Sequence, residues 1–261
     1  MLFLLSPAKS LDYATRTPAA IDALATEPLF MARSAELIEL LRTRSVDDVS
    51  ALMDLSESLA TLNVERYAAW SPQTSLANSK PAVLAFDGDV YGGLAARELT
   101  RADLVWAQSH LAILSGLHGV LRPLDRLQPY RLEMGTALAN PRGKDLYAYW
   151  GDTIAEHLNE RIAADPTPVI VNLASNEYFR AADRRRVLRP RVIDCVFEDW
   201  KNGEYKVISF WAKRARGLMA RHAVKKRLKT PAGLKRFAAE GYGFDAAASE
   251  PDRLVFRRRL E

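Results

Sequence analysis

The stretch Arg191–Trp211, RVIDCVFEDWKNGEYKVISFW, decides the fold more than any other part of this chain. Apolar residues, several of them β-branched or aromatic, flank the central string Trp200-Lys201-Asn202-Gly203-Glu204. An Asn-Gly pair accepts positive φ at both central positions of a type I′ turn, which is the turn that best joins two antiparallel strands. We therefore predict a β-hairpin between Arg191–Asp199 and Tyr205–Trp211.

The segments outside this hairpin predict helices and strands that interleave irregularly. Apolar runs predict four further strands: Leu2–Leu5, Ala82–Phe86, Pro168–Ala174 and Leu254–Arg258. Periodic apolar positions predict five helices: Leu29–Thr43, Arg101–Leu114, Lys144–Ala163, Arg214–Leu228 and Ala232–Ala239. Because the spacing is not that of successive βαβ units, the expected class is mixed α/β (α+β), a mixed sheet with surrounding helices. The sequence has no repeat, low-complexity run or long polar linker, which indicates a single compact domain over residues 1–261.

The composition indicates an ordinary globular protein. The 261 residues are 48% hydrophobic and 26% charged, which allows a sizeable core. A single cysteine, Cys195, excludes an internal disulfide and a cysteine-based metal cage. The apolar run Leu2–Leu5 is too short to span a membrane, and it lacks the basic leader and cleavage site of a signal peptide. We therefore expect a cytoplasmic protein with no membrane partner.

Positive charge is concentrated in one segment, Tyr205–Thr230, which has nine basic residues and no acidic one. The whole chain carries a net charge of only +5, and without those nine residues 28 basic side chains face 32 acidic ones. A local positive field attracts polyanions and accelerates their encounter with the protein. Two other interpretations remain open: a solvated helix face, and a basic pocket for a small phosphorylated or carboxylated substrate.

A second nucleic-acid signal lies at Asp47–Trp70. Two short helical stretches, Val46–Leu52 and Val64–Trp70, flank a turn-permissive string at Leu62-Asn63-Val64. This arrangement is similar to a helix-hairpin-helix motif, in which main-chain N–H groups grip DNA phosphates without reading sequence. Asn63 stands where that motif usually has glycine. An ordinary αα-hairpin packed on the core is the alternative for this segment.

Three loop segments have the composition of binding sites. Ser6-Pro7-Ala8-Lys9 follows the first predicted strand, and Asn172–Phe179 follows the end of another. Residues that leave the carboxyl ends of strands commonly face the ligand crevice of α/β folds. The third segment, Leu114–Gly135, is rich in glycine, proline and charge, and its Arg122 and Arg131 are candidate forks for phosphate or carboxylate. Polar candidates at the strand ends are Lys9, Asn172, Ser175 and Glu177.

No catalytic, metal-binding or cofactor-binding motif stands out. The four histidines fit no metal-ligand spacing, and Cys195 lies in mid-strand, where a buried inert thiol is expected. Asp87 and Asp89 lie in a glycine-rich string, where carboxylates more often make local hydrogen bonds than bind a cation. Neither a P-loop nor a strand-linked dinucleotide fingerprint is present. We therefore predict no metal and no cofactor, and we assign no catalytic residue.

Unusual strings occur in order along nearly the whole chain, and these strings resemble the YaaA family of bacterial peroxide-stress proteins. They are Leu5-Ser6-Pro7-Ala8-Lys9, Phe86-Asp87-Gly88-Asp89-Val90-Tyr91, Gly119-Val120-Leu121-Arg122-Pro123-Leu124-Asp125, Gln128-Pro129-Tyr130-Arg131-Leu132-Glu133-Met134-Gly135, Arg142-Gly143-Lys144-Asp145-Leu146-Tyr147, Asn172-Leu173-Ala174-Ser175, Lys213-Arg214-Ala215-Arg216-Gly217-Leu218-Met219 and Glu240-Gly241-Tyr242.

The resemblance implies a cytoplasmic protein that is induced by hydrogen peroxide or protects against it, with links to DNA repair and to limiting damage from free iron. It also implies binding of duplex, bubbled and four-way-junction DNA by a mixed α/β fold with a helix-hairpin-helix element and a positively charged cleft. Carried onto this sequence, the element falls on Leu59–Trp70, with Leu62, Asn63 and Val64 at its turn. The basic residues expected to line the cleft are Lys9, Arg122, Arg131, Lys213, Arg214 and Arg216.

Two functions follow as hypotheses. The first is a DNA-binding protein of the peroxide-stress response without sequence specificity, whose affinity falls steeply with salt. The alternative is an enzyme acting on a nucleotide, nucleobase or other anionic small molecule, since the loops are more elaborate than backbone binding requires. Iron sequestration is poorly supported because the chain has no cysteine cluster and no paired histidines.

Overall fold

The fold is known from a computed structural model, which describes residues 1–183 and 186–259. Its strands are β1 (Leu2–Leu5), β2 (Ser10–Leu11), β3 (Lys80–Pro81), β4 (Phe86–Asp87), β5 (Leu111–Ser115), β6 (Gly119–Leu121), β7 (Arg126–Leu127), β8 (Val169–Leu173), β9 (Arg191–Lys201), β10 (Glu204–Lys206), β11 (Gly243–Glu250) and β12 (Arg253–Arg258).

The helices of the described chain surround these strands. They are α1 (Ala19–Asp22), α2 (Met31–Arg42), α3 (Val46–Met53), α4 (Glu57–Ala69), α5 (Ala82–Ala85), α6 (Asp89–Leu94), α7 (Arg101–His110), α8 (Leu146–Trp150), α9 (Thr153–Ile162), α10 (Asn176–Asp183) and α11 (Ser209–Lys226). Two 3₁₀ segments cover Ala96–Glu98 and Pro231–Arg236.

One mixed sheet of eight strands organises the domain, in the order β11-β12-β9-β8-β1-β5-β6, with β10 paired to the end of β9. The strands β12, β9, β8, β1 and β5 run parallel, whereas β6, β10 and β11 pair antiparallel. Every residue of β1, β5 and β8 is buried, as expected for parallel strands covered on both faces. The predicted mixed α/β class is thereby confirmed.

The predicted hairpin is confirmed at its turn. Asn202 and Gly203 have φ of 55° and 87°, and Glu204 pairs with Lys201 across the turn. The second strand is shorter than predicted, because β10 ends at Lys206 and α11 begins at Ser209. Small side chains recur on the buried side of that helix and let it pack closely on the sheet and on α6: Ala212, Ala215, Gly217, Ala220 and Ala223.

Further elements differ from the prediction, and the predicted helix Ala232–Ala239 is a 3₁₀ segment over Pro231–Arg236. The apolar run Ala82–Ala85 forms a short buried helix rather than a strand. The predicted helix Arg101–Leu114 ends at His110, and the continuing apolar residues form the central strand β5. The predicted helix Lys144–Ala163 is two helices, because Gly151 has a φ of 52° and interrupts the helical path between α8 and α9.

Helices α6 and α11 cross at unusually short range, and this crossing fixes one wall of the site described below. A Cβ at Gly217 would lie 1.8 Å from the carbonyl oxygen of Val90. A Cβ at Gly93 would lie 2.2 Å from the carbonyl oxygen of Arg214. The two glycines therefore let the helix backbones touch directly, which sets the position of the basic residues on α11.

Candidate ligand-binding cleft

A cavity of about 560 Å³ opens beyond the carboxyl ends of β1 and β8. Ser6 follows β1, Ser175 follows β8, and the backbone N–H of Ser175 donates to Oγ of Ser6 over 2.9 Å. The loops at two parallel strand ends are thus tied together, at the place where ligands bind in open α/β sheets. The lining residues are Ser6, Pro7, Ala8, Lys9, Ser10, Asp87, Gly88, Asp89, Val90, Tyr130, Arg131, Leu132, Glu133, Ser175, Glu177, Tyr178, Lys213 and Arg216.

One side of the cleft holds a small ionic cluster around Glu133. The ammonium of Lys9 lies 2.8 Å from Glu133, and a guanidinium nitrogen of Arg131 lies 3.0 Å from the same carboxylate. Lys9 is largely exposed, whereas Arg131 and Glu133 are mostly buried. Because one carboxylate serves two cations, this cluster keeps a single excess positive charge.

The opposite side is formed by α11, which presents Lys213 and Arg216 one turn apart. Among the described residues neither side chain has a hydrogen bond or an ion pair, in contrast to the other cations of the cleft. Desolvation lowers the pKa of Arg216, and the carboxylate of Asp194 only partly offsets that effect. A half-buried guanidinium without a partner is costly, so an anion that enters the cleft would relieve this cost.

Carboxylates balance the cations of the cleft. The lining contains four basic side chains and four acidic ones, the latter being Asp87, Asp89, Glu133 and Glu177. One oxygen of Glu177 accepts the backbone N–H of Gly135 over 2.9 Å. The predicted positively charged cleft is therefore a cavity of balanced formal charge, in which Lys213 and Arg216 have no ion pair among the described residues.

Aromatic and apolar side chains complete the wall. The hydroxyl of Tyr130 lies 2.6 Å from Oγ of Ser115, and desolvation raises the pKa of this phenol. Tyr178 and Leu132 are also buried at this wall, and burial raises the pKa of Tyr178 well above its ordinary value. A flat apolar surface beside an anion site suits a ligand with both a ring and an acidic group.

The structure separates the other predicted cleft residues from this cavity. Arg122 binds Asp125 at 2.8 Å and donates to the carbonyl oxygen of Glu27, away from the cleft. Arg214 forms a two-nitrogen ion pair with Glu240, so its charge is neutralised outside the cleft. Of the six predicted basic residues, four line the cavity: Lys9, Arg131, Lys213 and Arg216.

The positive charges of the basic segment Tyr205–Thr230 are paired with carboxylates to a greater extent than the sequence indicates. Five of its nine cations bind carboxylates from distant or neighbouring segments: Lys206 with Glu204, Arg214 with Glu240, Arg221 with Glu98, and Lys225 and Arg227 with Asp103. The carboxylate of Asp103, which also accepts the N–H of Thr100, has a strongly lowered pKa as a result. These pairs fasten α11 to α7 and reduce the polyanion-attracting field.

The predicted turn at Leu62-Asn63-Val64 is wrong. All three residues lie inside the continuous helix α4, and Asn63 is fully buried with its amide donating to the carbonyl oxygen of Leu59 over 2.7 Å. The backbone N–H groups of these positions are used within the helix and are not available to phosphate.

The αα-hairpin exists, but its turn lies earlier, at Asp54-Leu55-Ser56 between α3 and α4. Asp54 has a φ of 52°, and Oγ of Ser56 accepts the N–H of Leu59 at the start of α4. From Val46 to Ala69 the two helices and their turn have five acidic residues and one basic one, Arg66. The net negative charge of this hairpin does not favour contact with phosphate.

Comparison with known proteins assigns the chain to a family. The family model described as "Peroxide stress protein YaaA" matches residues 1–248. This chain belongs to the YaaA family. A UPF0246 protein of Leptothrix cholodnii is 65% identical over 258 residues, which is 99% of this chain and 98% of that protein.

Two further relatives span the full length of the chain. A UPF0246 protein of Methylibium petroleiphilum is 65% identical over 260 residues, covering 100% of both chains. One of Bordetella petrii is 62% identical over 259 residues, covering 99% of this chain and 100% of that protein. The family is described as one of peroxide stress proteins.

Sequence reasoning missed several features of the cleft in this YaaA protein. It did not anticipate the contact between Ser6 and Ser175, which joins segments 169 positions apart. It also missed the helix crossing at Gly93 and Gly217, although a pair of adjacent glycines within a helix was a usable signal. Within residues 1–183 and 186–259 there is no group of three or more metal-ligating side chains and no helix long and apolar enough to cross a bilayer.

A buried histidine behind the cleft predicts a pH-dependent stability. His118 packs against Tyr130, its Nδ1 lies 2.9 Å from Oγ of Ser34, and burial lowers the pKa of His118 to about 3. Its Nε2 is buried without a partner among the described residues. Below its ordinary pKa of 6.5 this group takes up a proton only in the unfolded chain, so folding stability falls as the pH drops from 6.5 towards 3.

We expect His118 alone to lower the free energy of unfolding by about 1.4 kcal/mol between about pH 7.5 and pH 5.5. Urea unfolding of the wild type and His118→Gln at both pH values measures this contribution as the difference between their pH-dependent losses. Equal losses in the two proteins would show that His118 is protonated in the folded state as well.

Proposed function

We propose that this YaaA protein binds a phosphate-bearing nucleotide unit in the cleft, and that the main source of this unit is DNA. In this proposal the protein is a cytoplasmic, sequence-independent DNA-binding protein that helps to limit peroxide- and iron-driven DNA damage. The observation that carries it is a pair of cations on one wall of an open cavity, Lys213 and Arg216, which form no ion pair within residues 1–183 and 186–259. Phosphate is the ligand that an ammonium and a guanidinium one turn apart fit well.

The size and charge of the cleft favour one nucleotide rather than a duplex. A volume of about 560 Å³ is that of a small-molecule site, and it is too small to hold a double helix. The carboxylates Asp87, Asp89 and Glu177 would repel further phosphates, and they would accept hydrogen bonds from the amino groups of a base. The buried Tyr130 and Tyr178 supply the apolar wall that a base requires.

The number of free cations sets the expected salt dependence. Two phosphate contacts give a slope of log K against log salt of about −1.4 to −1.8, hence a loss of about tenfold in affinity between 50 and 200 mM salt. Titration of the protein into labelled single-stranded and bubbled DNA at both salt concentrations measures this loss of affinity. A loss of a thousandfold would indicate a broad basic surface instead, and absence of binding to every form of DNA would overturn the proposal.

The second candidate for the ligand of the cleft is a free nucleotide or another small anion. The hypothesis that the protein is an enzyme requires a ligand of this kind. The observation in its favour is the equal number of cations and carboxylates in the cleft, because a DNA-tracking surface is normally an excess of cations. Calorimetric titration with nucleoside monophosphates distinguishes the two sources. Binding of the monophosphates with no binding of DNA would favour the second candidate.

A further inference from the structure

An exposed apolar group lies at the start of α11, beside the cleft. Val207 and Phe210 are each 53% exposed and Trp211 is 37% exposed, so three large apolar side chains face solvent within five positions. The rings of Phe210 and Trp211 meet edge to face at a centroid distance of 4.9 Å. Isolated exposed apolar residues are common on protein surfaces, but a contiguous aromatic group normally has a partner.

Five cations lie near this aromatic group, and three of them are already paired with carboxylates: Arg258 with Asp199, Lys206 with Glu204, and Arg257 with Glu198 and Asp245. The guanidinium of Arg258 lies 4.5 Å from the ring centroid of Trp211, and Lys206 and Lys213 flank the group in the sequence. On the adjacent hairpin, Arg257 and Arg259 lie 4.4 and 4.6 Å from the ring centroids of Tyr205 and Trp200 respectively. The combination that is open to a ligand is the exposed ring of Phe210 beside the exposed ammonium of Lys213, which has no ion pair among the described residues. An exposed ring next to a cation is complementary to a polyanion that also carries flat rings.

The geometry of α11 joins this group to the cleft. Residues three apart on a helix are neighbours on its surface, so Phe210 lies beside Lys213, and Lys213 beside Arg216. The helix therefore presents an exposed aromatic ring, an ammonium and a guanidinium on successive turns. The last two line the cavity, whereas Phe210 lies outside it, so a strand that leaves the cavity along the start of α11 would meet this ring.

We propose that Phe210 is a stacking platform for an unpaired base of the nucleic-acid strand whose next nucleotide enters the cleft. This inference rests on the proposed function and extends it, because it requires single-stranded or locally unpaired nucleic acid. A paired base inside a duplex does not expose the face that a side-chain ring needs for stacking. Stacking on one ring is tolerant of sequence, since every base has a π-face.

The test compares two strands of about 12 nucleotides, an oligothymidine and a fully abasic strand, by fluorescence anisotropy. We expect Phe210→Ala to weaken binding of the oligothymidine about tenfold and to leave binding of the abasic strand unchanged. Phe210→Trp retains the ring and is expected to retain the affinity. Val105→Ala removes a side chain that is 50% exposed on α7 and serves as the matched control, without effect on either strand.

The outcomes separate this inference from the proposed function. Wild-type binding of both strands with no effect of Phe210→Ala overturns the stacking role and leaves the proposed function intact. Equal losses on both strands also overturn it, because Phe210 would then act on the fold or on the phosphates. Failure of the wild type to bind either strand overturns both. Loss of binding to anionic lipid vesicles in Phe210→Ala, with strand binding unchanged, would assign the surface to a membrane instead.

Discussion

Replacing Gly217 by alanine is expected to lower the free energy of unfolding by about 3 kcal/mol. The new Cβ would lie 1.8 Å from the carbonyl oxygen of Val90 and 2.8 Å from the backbone nitrogen of Leu94. Both atoms belong to the backbone of α6, so no side chain can move aside, and the two helices must separate. Alanine has the higher helix propensity, by about 1 kcal/mol, and this gain is smaller than the cost of the clash.

The control for this substitution is Gly243→Ala in β11. A Cβ at Gly243 meets no atom within 4 Å, so this variant changes a glycine without a clash. Urea unfolding of both variants measures the difference. A Gly217→Ala protein as stable as Gly243→Ala would mean that α6 and α11 are not held at the distance described. Because the crossing positions Lys213 and Arg216, Gly217→Ala is also expected to weaken ligand binding.

Short sequence patterns predicted the turns and strands whose conformation depends on a few neighbouring residues. The Asn202-Gly203 pair specified its turn because few residues other than asparagine and glycine adopt positive φ readily. The fully buried strands β1 and β8 were predicted from their apolar runs. The run that became β5 was assigned to the preceding helix, because a short apolar run shows no periodicity that separates a buried strand from a buried helix.

The site was predictable only in part, for a physical reason. The sequence shows where basic residues lie along the chain, but it does not show which carboxylates pair with them after folding. Arg214 and Arg221 counted toward the basic segment, yet Glu240 and Glu98, 26 and 123 positions away, neutralise them. Asn63 was assigned to a turn because asparagine tolerates left-handed conformations, but its amide instead bonds one turn back inside α4. Lys213 and Arg216 line the cavity and, among the described residues, form no ion pair, which could not be read from the sequence.

Arg216→Gln is expected to weaken binding of the nucleotide unit by about 10- to 100-fold, the loss typical of a charge-assisted hydrogen bond. Glutamine is shorter than arginine, and it keeps a polar end group but removes the charge. The matched control is Arg214→Gln on the same helix, since Arg214 is paired with Glu240 outside the cleft and its loss is expected to leave affinity within about twofold. Anisotropy titration of single-stranded DNA compares the two variants with the wild type.

Stability separates a binding role of Arg216 from a structural one. The guanidinium is desolvated, and among the described residues it has no ion pair or hydrogen bond to lose, so Arg216→Gln is expected to unfold at the same or a higher urea concentration than the wild type. A residue that held the fold would instead destabilise the protein when replaced. A clear loss of stability in Arg216→Gln, or an equal loss of affinity in Arg214→Gln, would contradict the anion site. If Arg216 binds the anion, Arg216→Gln should lower the affinity without lowering the stability. The reason is that Arg216 has no ion pair among the described residues of the free protein, so it stabilises only the complex with the anion.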